Sequence, residues 1–123
     1  LSLFLGIAQR RALKSLLRGE EAAHFRAKLA EYVERIATMP KTYEQDGKGD
    51  QAIAYLHYFM GSCDWYITEK DSDPDGEGQI QAFGSANLGY GAELGYISIA
   101  ELTAAGAELD LYFTPQPLAE VVK

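Results

Sequence analysis

One cysteine, Cys63, stands among 123 residues. A lone thiol excludes an internal disulfide framework and any all-cysteine zinc site. Histidine is nearly as scarce. His24 and His57 have no Cys or second His at ligand spacing, so no dedicated transition-metal site is expected. No apolar run approaches the ~20 residues of a membrane span. A hydrophobic share of 47% excludes wholesale disorder, and the length suits one domain rather than two. No serine or cysteine lies in a nucleophile-elbow motif, and Cys63 follows a turn without a recognisable catalytic partner.

Positive charge is missing from most of the chain. Residues 42–123 carry three Lys/Arg against fourteen Asp/Glu, a net of −11, whereas residues 1–41 carry eight against four, a net of +4. Nucleic-acid binding draws most of its affinity from cations that neutralise phosphates. The acidic part is therefore expected to make no direct nucleic-acid contact, and its charge fits solubility or a basic partner. The first residue is Leu rather than Met, as in a trimmed chain or the tail of a longer protein. The apolar stretch 1–8 is followed, not preceded, by Arg10, Arg11 and Lys14, with no small-residue cleavage site. The expectation is no signal peptide, no membrane, and a cytoplasmic location.

Periodicity divides the chain in two. Leu3, Phe4, Ile7, Leu13, Leu16 and Leu17 recur at helical spacing up to Gly19, predicting a helix over 2–18. A second is predicted over 20–38, with Phe25, Leu29, Tyr32, Val33 and Ile36 as its stripe, Glu20 and Glu21 in its first turn, and Pro40 beyond its end. Residues 1–40 thus form a helical pair, either part of one globule or a dimerisation element. Residues 41–51 are polar and Gly-rich, a loop or boundary before an acidic α+β unit over 41–123.

In that unit residues 52–60 (AIAYLHYFM) predict a strand buried on both faces. Gly61-Ser62 makes a turn, and 64–70 returns antiparallel with Trp65, Ile67 and Glu69 on one face. A loop at 71–78, a strand at 80–84 and a Gly-rich irregular stretch at 84–91 follow. Tyr96-Ile97 open a short strand into Ser98-Ile99-Ala100-Glu101, a capping box for a two-turn helix that Gly106 stops. Leu109, Leu111 and Phe113 alternate with Asp110 and Tyr112 as a last strand, and 117–122 make a final helical turn. The expected fold is α+β: an antiparallel sheet of four to five short strands, two N-terminal helices, and one short capped helix before the last strand.

The segments AIAYLHYF (52–59), DWYITEKD (64–71), AFG (82–84), LGYGAELGYISIAEL (88–102) and LDLYFTPQPL (109–118) carry a resemblance. Over about residues 38–120 the chain resembles an uncharacterised bacterial family, domain of unknown function 2958; residues 1–37 lie outside the pattern. The family often reads Asp-Pro after the Trp strand, where this chain has Asp71-Ser72 and only later Asp73-Pro74. The family is similar to proteins of plasmids, phages and other mobile elements. The resemblance implies a host-interaction or replication-associated role, and it implies no reaction and no catalytic residues.

Three constellations bear on chemistry. Asp71-Ser-Asp73-Pro-Asp75-Gly76 opens like a calcium loop, but the twelfth position, where a bidentate Glu belongs, is Ala82 and the flanks are strands. Asp71, Asp73 and Asp75 are thus weak metal candidates beside the reading of an acidic, solvated loop. His57 could meet Glu69 across the hairpin, the usual histidine–carboxylate pairing of a general base, with Asp71, Trp65 and Glu93 nearby. The weak catalytic candidates are His57, Glu69 and Asp71; a hydrogen-bonded structural histidine is the commoner outcome, and His24 reads as a surface or packing residue. The aromatics Tyr55, Tyr58, Phe59, Trp65, Tyr66, Tyr96, Tyr112 and Phe113 could stack nucleic-acid bases, yet they lack the accompanying cations and read as core.

The function expected is a non-enzymatic protein-interaction module without a cofactor, from a bacterial mobile element. Trp65, Tyr66, Glu69, Glu93 and Asp110 would form the surface for a basic or nucleic-acid-handling protein. The chain itself would be monomeric or a helix-mediated homodimer. The alternatives are an acidic DNA mimic that inhibits a nuclease or restriction enzyme, and a hydrolase using His57 with Glu69 and Asp71.

Overall fold

The structure is a computed structural model that describes residues 2–72 and 79–121. The chain starts with a 3-10 turn at Ser2–Phe4 and continues as α1 (Ile7–Leu16). The single helix predicted over 2–18 is therefore interrupted. Gly6 is extended at the start of α1, and a side chain there would come 2.9 Å from the Thr103 carbonyl oxygen. The kink tucks Phe4 and Leu5 into the core and leaves Leu3 and Ile7 exposed. Helix α2 (Ala22–Thr38) buries Tyr32 and Ile36, while Val33, expected in its stripe, faces out. Met39 is extended, as the residue before Pro40 favours.

The sheet confirms the α+β expectation. Among the described residues seven strands follow: β1 (Ile53–Ala54), β2 (Leu56–Met60), β3 (Cys63–Glu69), β4 (Ala82–Asn87), β5 (Ala92–Ile97), β6 (Glu108–Leu109) and β7 (Gln116–Pro117). Five form an antiparallel sheet in the order β5-β4-β3-β2-β6, and β1 pairs with β7 in a separate two-stranded ladder. Between β5 and β6 lies α3 (Ile99–Ala105). The Ser98 hydroxyl accepts from the Glu101 amide at 3.1 Å, and Gly106 ends the helix in the left-handed region, as the sequence predicts. Helix α4 (Leu118–Val121) closes the described chain.

One core serves both parts of the sequence. Phe4, Leu13, Tyr32 and Ile36 from the helices join Leu56, Tyr58, Trp65, Ile67, Ala82 and Ile97 from one face of the sheet. A smaller cluster of Ala52, Ala54, Phe113 and Leu118 packs with Tyr66 on the opposite face. Three predicted details are corrected. The segment 52–60 breaks at Tyr55 and alternates: Leu56 and Tyr58 are buried, His57 is half-buried and Phe59 is exposed, because only one face meets the helices. Strand β4 runs through residues expected to be irregular. The alternation over 109–113 belongs to a turn after a two-residue strand, for the Asp110 carboxylate accepts the Tyr112 amide at 2.9 Å.

Tyr58 ties the N-terminal segment to the sheet by donating to the Phe4 carbonyl oxygen at 2.6 Å. Burial pushes its phenol far above the ordinary value of 10.0. The unfolded chain releases that proton near pH 10 while the folded chain retains it, so stability is intact below pH 10 and falls above it. Alkaline denaturation followed by circular dichroism should lose about 1.4 kcal/mol per pH unit from this residue. Tyr58→Phe should remove that part of the slope, at a cost of about 1–3 kcal/mol at neutral pH for the unpaired Phe4 carbonyl.

Candidate functional site

The site arises from an irregularity in β3. Up to Ile67, which lies opposite Gly84, β3 keeps a regular register with β4; the register then shifts, and Glu69 comes opposite Phe83. Such a bulge adds a residue to one strand and re-aims the side chains beyond it. The shift overturns the expectation that Glu69 shares a face with Trp65 and Ile67. Glu69 sits instead on the face of Phe83 and Tyr96, which are themselves cross-strand partners. Trp65, expected on an interaction surface, stays in the core.

The 41–52 segment covers this face and encloses a cavity of about 450 Å³. Its floor is Thr68, Glu69, Phe83, Leu94 and Tyr96 from the sheet; its cover is Thr42, Tyr43, Gln45 and Asp46, and Ala52 and Leu118 close the apolar end. Gln45 holds the cover down. Its side-chain amide donates to the Ile53 and Thr68 carbonyls, both at 2.9 Å, and its carbonyl accepts the Ile53 amide at 2.8 Å. Its backbone amide donates to one carboxylate oxygen of Glu69. Tyr43, with φ of 78°, reaches across the mouth to Tyr96, and the two hydroxyls meet at 2.6 Å. That bond, ahead of burial, holds the Tyr96 phenol above its ordinary range. A positive φ is unusual for a bulky residue and persists where surrounding contacts impose it.

Glu69 is the unusual group, a carboxylate only 4% exposed. Among the described residues no basic side chain lines its cavity. Among the described residues five polar or charged ones are buried, and four of these (Thr42, Gln45, Thr68 and Glu69) line it. Sequence reasoning missed Tyr43 and Gln45, which lie in a polar loop without periodicity, and took Tyr96 for core although it is 56% exposed.

His57 stands elsewhere. It pairs with Tyr66 across the β2–β3 ladder and stacks on that ring, 4.5 Å between centroids and 9° between planes. Nε2 lies 2.7 Å from Asp64 Oδ1 and Nδ1 lies 3.0 Å from Asp110 Oδ2. Burial first, then the carboxylates of Asp64 and Asp110, raise the Tyr66 phenol. The expected meeting of His57 with Glu69 is thus replaced by meetings with Asp64 and Asp110. Asp71 accepts the Gln81 amide at 3.0 Å and donates its own amide to the Gln79 side chain, tying β3's end to the start of β4. Asp73 and Asp75 lie outside the described residues. Among the described residues no group of three or more His, Cys, Asp or Glu is placed to hold a metal ion. Glu93 is exposed on β5, and His24 lies on the surface, 3.0 Å from the Tyr112 hydroxyl. No helix among the described residues is long and apolar enough to cross a membrane.

Comparison with protein-family models, with curated proteins and with solved structures gives no match to this chain.

Proposed function

We propose that this protein is a non-enzymatic interaction module of a bacterial mobile element. It acts in the cytoplasm and holds a basic, extended segment of a partner protein along the free edge of β5. The observation that carries this reading is the edge itself. Strand β5 is six residues long, pairs among the described residues with β4 alone, and bears a single charge, Glu93. Natural sheet edges are normally guarded by lysine, proline or a covering element; an unguarded edge is a template for an added strand. Leu94 and Tyr96, each half or more exposed, offer apolar contact along one face of that template.

Charge selects the partner. With three Lys/Arg against fourteen Asp/Glu over residues 42–123, an acidic segment is repelled and a basic one attracted. A host-directed role is also what the resemblance read in residues 38–120, to a family similar to proteins of mobile elements, implies. The state of His57 supports a non-enzymatic one. Both of its ring nitrogens are engaged by carboxylates of the chain itself, Asp64 and Asp110.

Amide hydrogen exchange tests the reading. A short peptide alternating Val and Lys should slow exchange of the outward amides of Ala92–Ile97, and a Val–Glu peptide should not. Protection of β5 that grows with protein concentration in the absence of peptide would mean that a second copy occupies the edge. Either that result or peptide protection confined to other elements would overturn the proposal.

A further inference from the structure

We infer that the cavity beneath Tyr43 and Tyr96 is a binding site for an alkylammonium group, with Glu69 as its counter-charge. The inference rests on the edge-binding reading only for the source of the amine, since a lysine of a strand on β5 would lie beside the opening formed by Leu94 and Tyr96.

Two independent observations converge. The first is the state of Glu69. Glu69 is 4% exposed, one of its carboxylate oxygens takes the Gln45 backbone N–H, and the other, to which no described residue donates, opens onto the cavity. A carboxylate oxygen facing an enclosed space is a natural partner for an opposite charge that enters it. Its neighbours cannot supply that charge. The Gln45 amide is fully engaged by Ile53 and Thr68, and the Thr68 hydroxyl donates to the Phe83 carbonyl at 3.1 Å. The second observation is the wall. Phe83 and Tyr96 meet edge to face, 5.5 Å apart and at 86°, and with Tyr43 they present aromatic surface of the kind that attracts cations. Asp46 adds a second carboxylate at the mouth, whereas Leu94 and Leu118 offer apolar contact for a methylene stem.

These features choose among cations. A bare divalent ion needs six or more oxygen ligands, and the described residues provide no cluster of that kind here. An alkylammonium brings its own apolar stem, needs one strong acceptor and two or three weaker ones, and fits within about 450 Å³. An anion is excluded by the two carboxylates.

The test is a titration followed by NMR on the intact protein with three probes: n-butylamine, N-acetyl-lysine N-methylamide and the neutral control n-butanol. Both amines should shift the resonances of Phe83, Leu94 and Tyr96, and n-butanol should bind about tenfold more weakly or not at all. Glu69→Gln keeps an acceptor for the Gln45 amide while removing the charge. It should weaken the amines by about tenfold or more and leave n-butanol unchanged. Should that variant not fold, Asp46→Asn, at an exposed position, should weaken the amines about threefold. Tighter binding of the lysine derivative than of butylamine assigns the site to a protein side chain; the reverse assigns it to a free amine. Equal binding of butylamine and butanol, or no amine binding, would overturn the inference. Continued protection of β5 by the Val–Lys peptide in that case would leave the edge reading standing, and amine binding without such protection would remove the edge reading alone.

Discussion

Gly84→Ala should unfold the protein or lower its stability by about 3 kcal/mol or more. Gly84 lies in the middle of β4, opposite Ile67, where the register with β3 begins to slip. A Cβ at this position would overlap the Tyr66 carbonyl oxygen and press on the Ile67 backbone. Neither is a flexible side-chain end. Both belong to the central strand of a five-stranded sheet, so relief demands that β3 and β4 separate and the intervening ladder weaken. Because the bulge turns Glu69 toward Phe83, any variant that survives should also lose the geometry of the cavity. Gly95→Ala on neighbouring β5 is the control. Its Cβ would meet nothing within 4 Å. It should change stability by less than about 0.5 kcal/mol. Urea denaturation of the two variants checks the pair; equal midpoints would mean that close packing at Gly84 does not set the register.

The contrast between these glycines shows where the sequence was legible. Gly84 and Gly95 look alike in a string of letters; only the partner strand separates them. Local signals served well. Ser98, Glu101 and Gly106 announce the start and stop of α3 within a few residues of each other, and the structure places them so. The short Gly61-Ser62 turn implies the pairing Met60–Cys63, and hence His57 with Tyr66 and near Asp64. That contact was within reach of sequence reasoning; Asp110 was not, because β6 joins β2 from about fifty residues away. The cavity was the least legible feature. Its cover, residues 41–52, is polar and rich in glycine, the composition of a solvent-exposed linker. Gln45 is nevertheless buried there, because its amide completes the backbone hydrogen bonds that the bulge and the short β1 leave open. The alternation over 109–113 misled for a related reason. A turn held by Asp110 imposes the same in-and-out pattern as a strand, and composition cannot tell the two apart.

That turn is the hinge of the second large effect. Tyr32→Ala should destabilise the fold by about 3–5 kcal/mol. Tyr32→Phe should cost about 1–3 kcal/mol, since the Asp110 carbonyl loses the hydroxyl donor and the Phe113 carbonyl is left to Arg35. The Tyr32 ring is fully buried in the core, and its hydroxyl lies within hydrogen-bond reach of the Asp110 carbonyl and, at 3.2 Å, of the Phe113 carbonyl. Arg35, stacked 4.2 Å from the same ring, donates to Phe113 at 2.9 Å. Helix α2 thereby clamps the backbone of the turn, and the turn in turn presents the Asp110 carboxylate to His57. A variant lacking only the hydroxyl keeps the ring in the core and loosens the clamp. Tyr32→Phe should therefore broaden or shift the His57 ring resonances, although His57 and Tyr32 share no hydrogen bond. Substituting Val33, which is exposed on the same helix, should move neither the stability nor those resonances. If Tyr32→Phe lowers stability while the His57 signals stay fixed, Asp110 is held by the turn alone and α2 contributes only packing.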